Sequence, residues 1–196
     1  MTQRQGRVAR RTGETDIEVF VSLDGTGDYR LQTGVGFLEH MLSLLAKHGA
    51  LDLTVRATGD THIDDHHTVE DIGITLGMAV RQALGDKQGI NRYGHALVPM
   101  DEALVLAVTD ISGRGHLAID LPLPAARVGN FDTELVEEFM RAFALNSGIT
   151  LHIRLLSGRN THHIIEAAFK ALGRALRQAA ARDGRLTDIP STKGVL

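Results

Sequence analysis

The chain is written twice. Residues 66–83 read HHTVEDIGITLGMAVRQA and residues 162–179 read HHIIEAAFKALGRALRQA. With His162 set on His66, an offset of 96, the His-His pair, a Glu, a Gly and an Arg-Gln-Ala run coincide over about five helical turns. Upstream the likeness continues at an offset of 98, FLEHMLSLLAKHGALDLTVR at 37–56 against LVEEFMRAFALNSGITLHIR at 135–154. Glu39 falls on Glu137, Leu53 on Leu151, Val55 on Ile153 and Arg56 on Arg154, while His40 falls on Glu138. The change of offset fits a longer hairpin in the first copy, GDTHIDD against SGRNT. An internal repeat restricts the fold to two similar halves.

Each repeat core reads helix, strand, turn, helix. The first helix covers roughly 36–48 and 131–145, with apolar residues at helical spacing: Phe37, Met41, Leu44 and Leu45, then Leu135, Phe139 and Phe143. The strand covers roughly 50–58 and 148–156, where Leu53 and Val55, or Leu151 and Ile153, alternate with polar neighbours. The second helix covers roughly 65–84 and 160–182. Further strands are expected at 15–23, 103–111 and 115–121. The expected fold is α+β, one domain over 1–196 whose halves are approximately 6–92 and 93–196. Each half is a small sheet whose helices need cover, so the halves should pack helix layer to helix layer.

Composition removes several classes of function. No cysteine is present, so disulfides, thiolate nucleophiles and Cys-based zinc sites are excluded, and any metal must be held by nitrogen and oxygen. Net charge is −3, aromatics are 4% and Trp is absent, which argues against nucleic-acid binding. No apolar run reaches membrane-spanning length, and the basic N-terminus lacks the apolar stretch of a secretory signal, so a cytoplasmic protein is expected. Ten histidines is a high number for 196 residues.

Those histidines gather in the repeat. In His66, His67 and Glu70, residues three apart share a helix face, so His67 and Glu70 can grip one ion. Adjacent residues diverge by about 100°, so His66 and His67 suit two separate ions. His162, His163 and Glu166 repeat the arrangement. A repeat kept for packing would preserve apolar positions, yet here the polar ones match best. Imidazole and carboxylate suit Mn(II), Fe(II), Ni(II) or Zn(II) about equally. Imidazole must be neutral to ligate, so binding should weaken as pH falls through about 6. Such ions would serve a lyase, a dinuclear metallohydrolase or a storage cage, although ferritin-like cages carry Glu-x-x-His, the reverse order.

The segments DDHHTVEDIGI, NTHHIIEAAFKALGRALRQA and IPSTKGVL together resemble the imidazoleglycerol-phosphate dehydratase family, and the resemblance runs from about Arg11 to Leu196. It implies a hydro-lyase of L-histidine biosynthesis that converts D-erythro-imidazole glycerol phosphate to imidazole acetol phosphate with two Mn(II) per site and no organic cofactor. It implies a duplicated fold like domain 2 of ribosomal protein S5, and a homo-oligomer, a 24-mer of trimers with sites at subunit contacts.

Carried over onto this chain, the resemblance assigns one ion to His40, His66, His163 and Glu166. The other goes to His67, Glu70, His162 and Glu138, where the family commonly has His. Glu14 matches the carboxylate that acts as base. His40, His48, Arg92, Arg114, Lys170, Ser191, Thr192 and Lys193 match substrate-binding positions, with the phosphate falling to the cationic and tail residues. Asp101 is a weaker candidate for proton transfer or for supporting the ligands.

Overall fold

The computed structural model describes residues 4–196. The first half runs β1 (Gln5–Arg11), β2 (Thr15–Ser22), β3 (Tyr29–Gln32), α1 (Gly36–Gly49), β4 (Asp52–Gly59) and α2 (His66–Leu84). The second repeats that order as β5 (Tyr93–Met100), β6 (Ala103–Asp110), β7 (His116–Asp120), then, after a short hairpin of β8 (Arg127–Val128) and β9 (Phe131–Asp132), α3 (Leu135–Ser147), β10 (Thr150–Ser157) and α4 (Thr161–Ala180). The two four-stranded sheets are ordered β1-β2-β4-β3 and β5-β6-β10-β7. Their registers also repeat. Leu53 pairs with Val21 and Tyr29 as its counterpart Leu151 pairs with Thr109 and Leu117.

One face of each sheet is apolar by alternation. Ile17, Val19 and Val21 of β2 are fully buried with Leu53 and Val55 of β4, and Val105 and Ala107 of β6 with Leu151 and Ile153 of β10. α2 covers β1 and β2, and α4 covers β5 and β6. Each of these helices then meets a helix of the other half, α2 against α3 and α4 against α1. A helix so enclosed must be apolar or small on nearly every side, and α4 buries Ile164, Ile165, Ala168, Phe169, Leu172 and Leu176. The helix layers therefore meet as the sequence leads one to expect.

Two matched glycines set how close the layers come. A Cβ on Gly173 would lie 2.6 Å from the Leu45 carbonyl oxygen, and one on Gly77 would lie 2.7 Å from that of Phe143. Gly173 is the repeat counterpart of Gly77, and Phe143 of Leu45, so the same backbone contact is made twice. A buried carboxylate anchors α2: Asp71 accepts from Arg10 at 2.6 Å and from the Thr15 hydroxyl at 2.5 Å.

Several boundaries differ from the sequence reading. β1, β3 and β5 were not expected there. α3 begins at Leu135 rather than 131, because Phe131 and Asp132 pair with β8 and the Thr133 hydroxyl donates to the Ala125 carbonyl at 2.8 Å. β5 tolerates Pro99 because it is an edge strand. The segments GDTHIDD and SGRNT are strand-to-helix loops, not hairpins. α4 ends at Ala180, after which Arg182 bridges to Ile90. The tail turns back onto the loop before β5. Gly89 N–H donates to the Asp188 carbonyl at 3.1 Å, Arg92 Nη1 to that of Pro190 at 2.9 Å, and Lys87 Nζ to that of Leu196 at 3.1 Å. Among the described residues no helix is long and apolar enough to cross a membrane.

Gly173→Ala is expected to destabilise the chain by about 1–3 kcal/mol through overpacking, despite alanine's better helix propensity. Urea denaturation checks this: an unchanged or raised midpoint would mean that the helix backbones do not approach this closely.

Candidate functional site

Both His-His pairs open a helix, and side-chain acceptors fix their backbone. Asn160 Oδ1 accepts from the N–H groups of His162 (3.0 Å) and His163 (3.4 Å), and Asp64 Oδ1 accepts from His66 N–H at 2.8 Å. Within each pair the rings stand nearly perpendicular, at 87° for His66 and His67 and at 90° for His162 and His163. The divergence expected of adjacent helical residues shows in their separate partners, Glu70 and Asp60 for His66 and His67, Glu166 and Glu102 for His162 and His163.

The first histidine of each pair turns to the Glu four residues on. His162 Nε2 lies 3.3 Å from Glu166 Oε1, and His66 Nε2 lies 3.8 Å from Glu70 Oε2. Sequence spacing had paired Glu70 with His67. Both the i+3 and i+4 positions lie on that face, and within the single chain the carboxylate takes the i,i+4 partner. His40, from α1, adds its Nε2 at 2.7 Å from Glu166 Oε1. His40, His162 and Glu166 thereby place three ligand atoms within 4.8 Å of one another. Glu166 is buried and also accepts from Lys170 Nζ at 2.6 Å. Burial pushes its carboxyl upward, but Lys170, His40 and His162 together outweigh that and hold it at about 2.

The second histidine of each pair turns away, with Nδ1 against a carboxylate. His67 Nδ1 lies 3.0 Å from Asp60 Oδ2 and 3.7 Å from Glu14 Oε2, a group that also has its ligand atoms within 4.8 Å of one another. His163 Nδ1 lies 2.7 Å from Glu102 Oε2. Asp60 raises the pKa of His67, and Glu102 that of His163. The bond to His163, aided by backbone N–H donors, holds Glu102 at about 2. His163 therefore does not join His40 and Glu166 within the chain; His162 does.

The remaining candidates are dispersed. Glu138 is half-buried on α3, at the place His40 has on α1, and borders a groove with Ile119, Leu121 and Leu123. Glu14 is exposed at the β1–β2 turn. His48 is half-buried at the end of α1; burial, then the charges of Lys170 and Arg174, lower its pKa. Arg92 is bound to Asp110 at 2.8 Å and stacks over Tyr93, while its bond to Pro190 brings the tail alongside. Arg114, Thr192 and Lys193 are exposed, Ser191 is half-buried, and exposed Asp101 lies 3.8 Å from His163 Nε2. A cleft of about 800 Å³ opens beside His40 and His162, bordered by Val35, Phe37, Asp65 and Phe131.

Sequence reasoning missed Asp60 and Glu102. What reveals Glu102 is the strand register: β1–β2 and β5–β6 pair alike at an offset of 88, which sets Glu102 on Glu14.

Fold and site together define a duplicated α+β protein with clustered imidazoles and carboxylates, equipped for acid–base and cation-assisted chemistry on a small molecule. Comparison with known proteins narrows this. Residues 33–176 match the family model for imidazoleglycerol-phosphate dehydratase. The chain is 75% identical to the imidazoleglycerol-phosphate dehydratase of Desulforamulus reducens over the full length of both. Crystal structures of the Staphylococcus aureus and Pyrococcus furiosus proteins superpose with TM-scores of 0.83 and 0.84 at 44% and 40% identity. They cover 91% and 96% of this chain, and 99% and 100% of their own. The chain belongs to the imidazoleglycerol-phosphate dehydratase family, and its activity is that of a dehydratase, a hydro-lyase.

Lys170→Met is expected to lower the stability of the metal-free protein by about 1–3 kcal/mol, since Glu166 stays buried without its cation. The deficit should be full well above the ordinary carboxylate value of 4.5 and should fade as pH falls through about 2, below which Glu166 is protonated in either protein. Urea titrations across that range check it.

Proposed function

We propose that this chain dehydrates D-erythro-imidazole glycerol phosphate to imidazole acetol phosphate in L-histidine biosynthesis, as a cytoplasmic enzyme using two Mn(II) ions per site and no organic cofactor. The observation that carries the metal reading is the cluster of His40, His162 and Glu166, three ligand atoms within 4.8 Å of one another on the duplicated helix. That span fits one first-row cation at about 2.2 Å per bond, and a sulfur-free imidazole and carboxylate set suits Mn(II). His66, His67, Glu70, Glu138 and His163 are the remaining ligands in this reading. Bound there, the ions would supply Lewis acidity to the imidazole nitrogens of the substrate and acidify the adjacent carbon.

The chain's own residues do the rest. Glu14, exposed in its turn, takes the carbon-bound proton. A phosphate dianion needs cations and hydrogen-bond donors. Arg92 and the tail residues Ser191, Thr192 and Lys193 lie together through the Arg92–Pro190 bond and, with Arg114 and Lys170, provide them. His48, half-buried and with its pKa lowered, stays neutral near pH 7 and serves as a donor to substrate. The dispersal of the metal ligands within one chain, with His163 on Glu102 and away from His40 and Glu166, favours sites completed at contacts between chains, in a 24-mer of trimers.

The Mn(II)-loaded protein is expected to yield the keto product without free phosphate. Phosphate release with no keto product would instead favour a dinuclear metallohydrolase. His162→Ala should lose one ion per chain and at least 100-fold in turnover, on the order of one lost Lewis-acid or donor contact. Glu14→Gln should keep both ions and lose turnover; full activity in that variant would remove Glu14 from the role of base. Sedimentation before and after chelation tests the shared sites, with a smaller particle expected once metal is gone.

A further inference from the structure

We propose that Glu102 is a positioning residue that fixes the tautomer of His163, and that it descends from the same repeat position as Glu14, so the two halves use one hairpin carboxylate for two different tasks. The inference rests on the metal reading above.

The equivalence follows from the strand registers. Gln5 pairs with Ser22 and Arg11 with Asp16 in the first half; Tyr93 pairs with Asp110 and Pro99 with Leu104 in the second. Glu14 and Glu102 therefore occupy the same place in the turn, each beside the second histidine of a pair. Their surroundings differ. Glu14 is exposed and stands 3.7 Å from His67 Nδ1, while Asp60 holds that nitrogen at 3.0 Å. Glu102 has no such substitute and holds His163 Nδ1 itself at 2.7 Å.

An ionised carboxylate only accepts, so the nitrogen facing it carries the proton. His163 is then protonated on Nδ1, and the lone pair needed by a cation is on Nε2. Among the described residues Nε2 faces only exposed Asp101, at 3.8 Å. Glu102 is itself pinned: its Oε1 accepts from the N–H groups of Arg159 (3.2 Å) and Asn160 (2.8 Å), in the loop that leads into α4. One carboxylate thus ties the turn between β5 and β6 to the start of α4 and orients the ring there. Asp60 orients His67 but is not pinned in this way: its second oxygen, Oδ1, is buried without a hydrogen-bond partner.

That difference gives a discriminating experiment. In Glu102→Gln the carbonyl oxygen must stay with the two backbone donors, so the amide NH₂ faces His163 and drives its proton onto Nε2. In Asp60→Asn the amide is free to turn and keep an oxygen toward His67. Mn(II) titrations of the full oligomer, read by the EPR signal of free Mn(II), are expected to show one of the two ions weakened 10- to 100-fold in Glu102→Gln. The other ion should be unchanged, and both ions in Asp60→Asn should stay within about 3-fold of wild type, well short of that loss. Wild-type affinity for both ions in Glu102→Gln would overturn the inference. So would equal losses in the two variants. Failure of the wild-type protein to take up Mn(II) would instead overturn the metal reading, and this inference with it. Solid-state ¹⁵N spectra of ring-labelled, metal-free protein, with His163 assigned by difference against His163→Gln, need no variant at Glu102. A proton on Nε2 of His163 would overturn the inference there too.

Discussion

The structure depends on how closely the two helix layers approach. Neither sheet has a second sheet to cover it, so each is closed by its own long helix, which must in turn be covered by a helix from the other half. The Gly173–Leu45 and Gly77–Phe143 contacts bring backbone against backbone and leave no room for a methyl group. Without that approach His40, on α1, would not reach Glu166, on α4. The site is therefore a product of packing between the halves, and neither half contains it alone.

Helix geometry then divides the histidines. Successive residues at a helix start point about 100° apart, so the first member of each pair meets the Glu four residues on and the second meets a turn carboxylate. The carboxylate met by the first ring of the second pair is structural as well as chemical: buried Glu166 gathers His162, His40 and Lys170. His67 and His163 are steadied at Nδ1 by Asp60 and Glu102.

Much of this was legible in the sequence, for reasons that differ by element. The helices announced themselves through periodic apolar residues such as Met41, Leu45, Phe139 and Phe143, and β2 and β4 through alternation. β1 did not, because its one buried position is Gly6 under α2 and its arginines, Arg7, Arg10 and Arg11, make it resemble a charged tail. β5 was masked by Pro99, tolerated only because no strand lies beyond it. The ligand residues stood out because the repeat preserved polar identities. Asp60 and Glu102 did not, because acidic residues in turns are commonplace and only the strand register shows what they face. Spacing pointed Glu70 to His67, whereas in the folded chain it lies nearer His66, its i,i+4 partner, because His67 is turned to Asp60.

The agreement of the two strand ladders, pair for pair, has a consequence for how such a chain could arise. An interface in which each half offers the same glycine and accepts it at the same carbonyl is isologous, the kind of contact that a half-length ancestor would make with a copy of itself. In such a homodimer every site would come in identical pairs, and no residue could change on one side only. Joining the copies in one polypeptide lifted that obligation. A tethered pair is free to become unequal, and Ala50 and Gly148 record a small instance: both end a helix in the left-handed conformation, and only one copy has the residue best suited to it.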